Sequence, residues 1–381
     1  MTVLEEKKLR IAMLGHKRIP SREGGVEVVV EELAVRMVEK GYSVTCFNRS
    51  GHHVAGARFD AAGAENYRGV RCTEVFTVNR RGLAAMTSSF AASLRAGFGK
   101  YDVVHVHAEG PAFFSFIPKL CGKRVVVTVH GLDWARAKWG RFASWFIRTG
   151  EKNAVRFADE IIVLSKAVGD YFAETYGRKT VFIPNGASRQ EKKEPLEINK
   201  WGLEKDGYVL YLGRIVPEKG ERYLIEAFKN IKTDKKLVIA GGSSDTDAFM
   251  TELKNMARDD DRIIFTGFIQ GRTLEELYSS AYVYCLPSDL EGMPLSLLEA
   301  MSFGCCCLVS DIPECAEVVG DKAVTFRKGD TADLRERLEQ LLADPDKVEG
   351  YKAGAADHVC EKYSWDDVAE RTAALYRGAE K

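Results

Sequence analysis

Two carboxylates stand eight positions apart in DLEGMPLSLLEAM (289–301): Glu291, just ahead of Pro294, and Glu299, set among Leu295, Leu297, Leu298, Ala300 and Met301. A helix this apolar is usually buried, and a buried carboxylate is costly unless something pairs with it. Proline is favoured in the first turn of a helix. A helix opening at Pro294 would turn free backbone N–H groups, chiefly those of Leu295 and Ser296, toward an anion such as phosphate. The two acids would repel that anion, so they should contact something else. An ionised carboxylate only accepts hydrogen bonds and can take two donors from a vicinal diol. A ribose and a hexose on one diphosphate present such diols at both ends.

Two cations suit the same anion. In YVLYLGRIVPEKGERYL (208–224) a strand ends in Gly213-Arg214, and a helix begins near Gly220 just after Lys219. Arg as a fork and Lys as a point charge make a cradle for a diphosphate, although either alone would be an ordinary surface charge. LGHKRIPSREGGVE (14–27) places Gly24-Gly25 immediately before another helix, where a ligand can approach the backbone closely. No strand is followed by G-x-G-x-x-G, which argues against an NAD enzyme. His130 ends strand VVVTVH beside Gly131, three residues before Asp133, a position that favours a functional role. His105 and His107 alternate along one strand and face the same side. With no third ligand evident, they read as a packed strand rather than a metal site.

The elements that must position these groups follow from the hydrophobic pattern. Short β-type runs at 9–14, 43–48, 70–76, 102–107, 124–130, 160–165 and 180–184 alternate with helical patterns. A second series occupies 208–212, 237–241, 263–267, 281–286, 305–310 and 323–326. Alternation of this kind predicts parallel sheets covered on both faces, hence an α/β, doubly wound fold. The polar stretch 187–207 reads as the connection between two Rossmann-like domains, 1–186 and 187–363, whose strand ends should face each other across a cleft. In the last helix, 364–378, Ser364 and Asp367 resemble a capping box.

The 381 residues are 45% hydrophobic and 29% charged, with zero net charge, a soluble globular composition that does not call for nucleic acid as a partner. No apolar run approaches the ~18 residues of a membrane span, and no signal peptide is evident, so a cytoplasmic or peripheral location is expected. None of the nine cysteines forms a C-x-x-C pair. Their irregular spacing points to a reducing compartment, and Cys305-Cys306-Cys307 to small buried hydrophobes.

Taken in order, Gly24-Gly25, GRIVPEKG, the E-x7-E of EGMPLSLLEAM and the terminal SWDDVAERTAALY resemble the retaining glycosyltransferases of the GT-B fold, specifically the large family numbered four. The N-terminal half is most similar to the rhamnosyltransferase-like subgroup that builds cell-surface polysaccharides. That resemblance implies an acceptor domain at 1–186, with the last helix packing back on it, and a nucleotide-sugar donor domain at 187–363. It implies that Arg214 and Lys219 hold the diphosphate, Glu299 the ribose, and Glu291 the transferred sugar, with Gly292, Met293, Pro294, Leu295 and Ser296 completing the donor site. Thr266, Gly267 and Phe268 would read the base through backbone groups. Gly24 and Gly25 would contact phosphate or sugar, and His130 the reacting sugar or the acceptor. Whether Glu291 only positions the sugar or also takes part in the chemistry stays open.

The expected reaction is a metal-independent, retaining transfer with no cofactor, from a dTDP- or UDP-sugar to a saccharide acceptor. Subgroup resemblance favours rhamnose and a lipid-linked acceptor. WARAKWGRFASWFIRTGEKNAVRF (134–157) interleaves three tryptophans with Arg136, Lys138 and four further cations. It suits a lipid diphosphate or the inner membrane face, with Asp133, Trp134, Arg136 and Lys138 as acceptor contacts, and equally suits an ordinary helix with a solvated basic face. Three rivals stand beside this: a metal-dependent transferase using Asp245-Thr246-Asp247, a nucleotide-sugar epimerase of the same architecture, and a non-enzymatic nucleotide-sugar-binding protein.

Overall fold

The β-type runs form two separate sheets. The computed structural model describes residues 8–51, 65–80, 82–135, 140–242 and 247–378. The chain divides into Met1–Asn185 with Trp365–Lys381, and Gly186–Ser364. In the first unit the strands are β1 (Arg10–Leu14), β2 (Ser43–Arg49), β3 (Asn66–Tyr67), β4 (Val70–Val75), β5 (Val103–His107), β6 (Arg124–Val129), β7 (Glu160–Val163) and β8 (Val181–Phe182). Their order across the sheet is β3-β4-β2-β1-β5-β6-β7-β8. The second unit holds β9 (Tyr208–Leu212), β10 (Lys236–Ala240), β11 (Ile263–Gly267), β12 (Val283–Leu286), β13 (Cys307–Ser310) and β14 (Val324–Phe326), in the order β11-β10-β9-β12-β13-β14. Neighbours run parallel throughout except at β3–β4, a two-residue antiparallel edge too short to leave a periodic signal.

Parallel strands need crossovers, and the helices that supply them cover both sheet faces, which is why these strands are apolar along their length. Ile11, Val104, Val106, Val209, Leu210 and Val283 are fully buried. In each sheet the winding direction reverses once, between β1 and β5 and between β9 and β12. At such reversals the loops after adjacent strands diverge and leave a crevice at the carboxyl ends, where ligands bind in doubly wound folds. Arg214 follows β9 and Glu291 follows β12, so the second reversal gathers the groups the sequence singled out.

The stretch 187–207, read from the sequence as the connection between the domains, packs into the second unit. The Glu276 carboxylate accepts from the amides of Leu196 (2.9 Å), Glu197 (2.7 Å) and Ile198 (3.3 Å), so three backbone donors of the segment are satisfied by one buried acid. Ala187 donates to the Tyr363 carbonyl (2.5 Å) and pairs with Ser364, which ties the two ends of this unit together. The last helix, Trp365–Arg377, belongs to the first unit. Its Asp366 meets Arg36 (3.1 Å), its Glu370 meets Lys40 (2.7 Å), and the Leu375 carbonyl accepts from Arg124 (2.6 Å). All nine cysteines are free thiols, and Cys305, Cys306 and Cys307 are buried, with the strand starting only at Cys307.

The helix Arg141–Phe157 packs so tightly on the Glu109 segment that a Cβ added at Gly150 would lie 2.0 Å from the Glu109 carbonyl oxygen. Alanine gains about 1 kcal/mol in helix propensity over glycine, but overpacking against backbone costs about 1–3 kcal/mol and a contact this short lies at the upper end. Gly150→Ala is therefore expected to destabilise by about 2 kcal/mol, read as a lowered midpoint in urea unfolding. An unchanged or raised midpoint would contradict this packing.

Candidate functional site

In the second unit the loop after β9 is held from below by Tyr211 and Glu221. The Tyr211 hydroxyl lies 2.8 Å from Glu221 Oε1 and 3.0 Å from the Arg214 carbonyl, and the Val216 amide donates to the same Glu221 oxygen (3.3 Å). Glu221 is fully buried, and burial above all pushes its carboxyl up to about 8, against the hydrogen bonds that lower it. Sequence reasoning passed over this acid. It does leave a signal, since Glu221 falls on one helical face with Leu224, Ile225 and Phe228.

The loops after β9 and β12 touch through their backbones. Gly220 has φ +73°, and a Cβ there would lie 2.0 Å from the Pro287 carbonyl oxygen, so only glycine fits. The Asp289 amide donates to the Glu218 carbonyl (2.9 Å). This contact brings Lys219 against Glu291: Nζ lies 2.5 Å from Oε1, with the two side chains only 12% and 7% exposed. Ser288 donates to that same oxygen (2.6 Å), and its own carbonyl accepts from Ser310 (2.5 Å). The cation and the acid, assigned to different ends of the donor, are thus ion-paired with each other. The Arg214 side chain is half-buried and makes no ion pair among the described residues.

Pro294 is the N-cap, not the first turn, of the helix Leu295–Ser302. No side chain caps this end, and the first turn's bonds to Pro294 start at the Leu297 amide, leaving those of Leu295 and Ser296 ahead of it. Leu297, Leu298, Ala300 and Met301 are buried, whereas Leu295, Ser296 and Glu299 form the half-buried stripe. Glu299 is therefore not the fully buried acid its neighbours suggested. Its Oε2 accepts from Tyr278 (3.2 Å), and the Ser296 hydroxyl pairs with Tyr284 (2.8 Å). Gly292, Met293 and Pro294 are buried in the preceding loop.

The turn Thr266-Gly267-Phe268 joins the same rim. Gly241, at φ +150°, donates to the Gly267 carbonyl (2.9 Å), and a Cβ there would lie 1.8 Å from the Gly213 carbonyl oxygen. The loops after β9 and β12 carry Arg214, Lys219 and Glu291, the 266–268 turn closes β11, and Glu299 stands on the helix that follows β12.

In the first unit the helix Gly25–Glu39 starts after Gly24. Gly24 is extended (φ −166°), a conformation open to any residue, so nothing in the backbone demands glycine there. Buried Glu27 and Glu31 anchor the preceding loop by accepting from the amides of Lys17 (2.8 Å) and Ser21 (3.3 Å), and neither acid was anticipated. At the end of β6, His130 Nε2 lies 3.2 Å from His107 Nδ1. His105 is satisfied by Tyr376 (2.6 Å) and Thr128 (2.7 Å), as a packed strand histidine should be. His107, fully buried on the same strand, reaches His130 as well.

Asp133 and Trp134 rest on a buried carboxyl pair. Glu109 accepts from the Asp133 amide (2.8 Å), and Glu151 accepts from Trp134 Nε1 (3.0 Å) and Tyr171 (2.9 Å). Burial, then the adjoining Glu151 and Asp133 carboxyls, hold Glu109 well above the usual carboxylate range. Trp134 is covered by the Arg148 guanidinium at 4.2 Å. Arg136 and Lys138, the other expected acceptor contacts, and Asp245-Thr246 lie outside the described residues. Beyond them a chain of rings runs Phe142–Trp145 (5.8 Å), Phe113–Trp145 (6.4 Å) and Phe113–Phe146 (4.5 Å), with Phe142 68% and Trp145 56% exposed. Arg141, Arg148, Lys152 and Arg156 are exposed on the same helix, whose one acid, Glu151, is buried.

Glu221→Gln tests the loop anchor. A raised carboxyl is protonated in the folded state, so its contribution is complete below the unfolded value near 4.5 and is lost as pH rises through about 8. The neutral variant should therefore gain in melting temperature relative to the unaltered protein between pH 7 and 9. A constant difference across that window would show that Glu221 is ionised.

Residues 23–191 match the family model described as Glycosyltransferase Family 4, and residues 193–358 match Glycosyl transferases group 1. Among curated relatives, an uncharacterised glycosyltransferase of Methanocaldococcus jannaschii is 26% identical over 97% of this chain and 98% of its own length. The alpha-maltose-1-phosphate synthase of Mycolicibacterium smegmatis is 25% identical over 97% and 99%. Among solved structures, the sucrose-phosphate synthase of Thermosynechococcus elongatus superposes with a TM-score of 0.81 at 21% identity, covering 97% of this chain and 98% of that one. Anabaena HepE in complex with UDP-glucose superposes with a TM-score of 0.78 at 16% identity, covering 97% and 100%.

Proposed function

We propose that this chain, a glycosyltransferase of the GT-B fold with a family 4 first half and a group 1 second half, performs a retaining, metal-independent transfer of a hexose from a nucleoside-diphosphate sugar. The observation that supports this most is the border at the second reversal point. Arg214, Lys219 and the amides of Leu295 and Ser296 offer fixed positive charge to a diphosphate, while Glu291 and Glu299 offer acceptors to hydroxyls on either side. As phosphate arrives, Lys219 exchanges the Glu291 carboxylate for a phosphate oxygen, and Glu291 Oε1 becomes able to accept from the sugar. Stabilising the leaving diphosphate is then the main catalytic task, while an oxocarbenium-like sugar departs.

A nucleotide-sugar donor fits the relatives, since HepE is described in complex with UDP-glucose. We assign rhamnose, a dTDP- or UDP-linked donor and a lipid-linked saccharide acceptor on the family resemblance of the N-terminal half, within cell-surface polysaccharide synthesis. No helix of the described residues is long and apolar enough to cross a membrane. The exposed rings of Phe142 and Trp145 beside four cations support peripheral contact with the anionic cytoplasmic membrane face. Cosedimentation should therefore occur with vesicles containing anionic lipid, fail with zwitterionic ones, and be lost in Phe142→Ser/Trp145→Ser.

Arg214→Ala and Glu299→Ala should each lower kcat/KM by at least ~100-fold once the donor is identified from a thermal-shift panel of nucleotide sugars. Full activity in EDTA is expected. Near-normal turnover by either folded variant would remove it from the donor site, and loss of activity in EDTA would reject the metal-independent mechanism.

A further inference from the structure

On the reading that His130 faces the reacting groups, we infer that His107 is a positioning residue that fixes the orientation and tautomer of His130 by donating a ring proton to it. In the β5–β6 register His107 stands opposite Thr128, and His130 lies two residues beyond Thr128 on the same side. The rings of His107 and His130 are stacked, with centroids 5.4 Å apart, planes 30° apart and a nitrogen pair at 3.2 Å. His105 lies against His107 at 4.1 Å between centroids. Both nitrogens of His105 are occupied, by Tyr376 and Thr128, so it serves as a fixed backing for the His107 ring.

The direction of the bond follows from the other nitrogen of His107. A neutral imidazole has one N–H and one lone pair, so one ring must donate and the other accept. His107 is fully buried, and its Nε2 has no partner among the described residues. Were His130 the donor, His107 would carry its proton on Nε2, a buried N–H with nothing to receive it. With His107 donating from Nδ1, Nε2 is only an unfilled acceptor, and orphaned buried acceptors are tolerated better than orphaned donors. His130 therefore accepts at Nε2 and carries its own proton on Nδ1. It meets the substrates as a hydrogen-bond donor, suited to an oxygen of the sugar or the leaving group rather than to abstracting a proton.

The test uses the full-length protein with ¹⁵N-labelled histidine and long-range ¹H–¹⁵N correlation, His130 being assigned among the seven histidines through His130→Gln. His130 should be protonated at Nδ1 alone, and in His107→Phe it should become a mixture of both tautomers. In the same variant kcat should fall by about tenfold or more while the donor KM stays within about twofold, and His107→Asn, whose amide nitrogen can stand where Nδ1 stands, should restore both tautomer and rate. A His130 protonated at Nε2 in the unaltered protein, or one whose tautomer is the same in all three proteins, overturns the inference. Should His107→Phe fail to fold, the spectra of the unaltered protein and of His107→Asn still decide. Full turnover by His130→Gln would reject the role of His130 in the reaction, while the tautomer comparison would still judge His107.

Discussion

The backbone contact between Gly220 and Pro287 is the constraint on which the rim of the second unit depends. Two loops leaving adjacent parallel strands can touch here only because Gly220 has no Cβ, and the touching sets the reach between Lys219 and Glu291. A side chain at 220 would push the loops apart and leave two largely buried, opposite charges without each other. Removing the partner of a buried charge is far more costly than the pair is worth, so the site and the local stability fail together.

That same balance makes the Lys219–Glu291 pair suitable as an exchangeable contact. Desolvating both groups offsets most of their attraction, so the net contribution of such a pair lies near zero, and an exchange costs little only where both the lysine and the carboxylate find new partners. While they are paired, this part of the rim carries no net charge from the two groups. Within the pair the carboxylate's charge is compensated locally, because its first neighbour is a cation and its second a serine hydroxyl. Glu221 contributes differently: as a neutral carboxyl beneath the loop it takes hydrogen bonds without adding a second negative charge to the border.

The sheets were legible because parallel strands are apolar on both faces, so that runs such as VVVTV and YVLYL stand out from the helices around them. The two-residue strand Asn66–Tyr67 offers no such contrast. Lys219 and Glu291 stood out in the sequence by type and spacing, but their pairing did not, since residues 219 and 291 meet only through tertiary structure. Buried acids formed the largest blind spot. Glu27, Glu109, Glu151, Glu221 and Glu276 are each 5% exposed or less, yet a lone Glu in a charged sequence reads as solvated surface. The signal available was positional, as at Glu151, which shares its helix face with Ile147 and Ala154. The error at Glu299 ran the other way, because Leu295 and Ser296 share its open stripe.

The terminal helix Trp365–Arg377 completes a unit whose sheet was finished almost two hundred residues earlier. Its Tyr376 is the hydroxyl that meets His105, and its backbone receives Arg124. During synthesis the ribosome must therefore deliver the whole of Gly186–Ser364 before the first unit has its last layer. In the interval β5 and β6 lack that cover, and His105 lacks a partner for Nδ1. The second unit suffers no such delay, since Ala187 and Ser364 bracket it and pair with each other. Although it is made later, it can fold first, and the chain then matures from its middle outward.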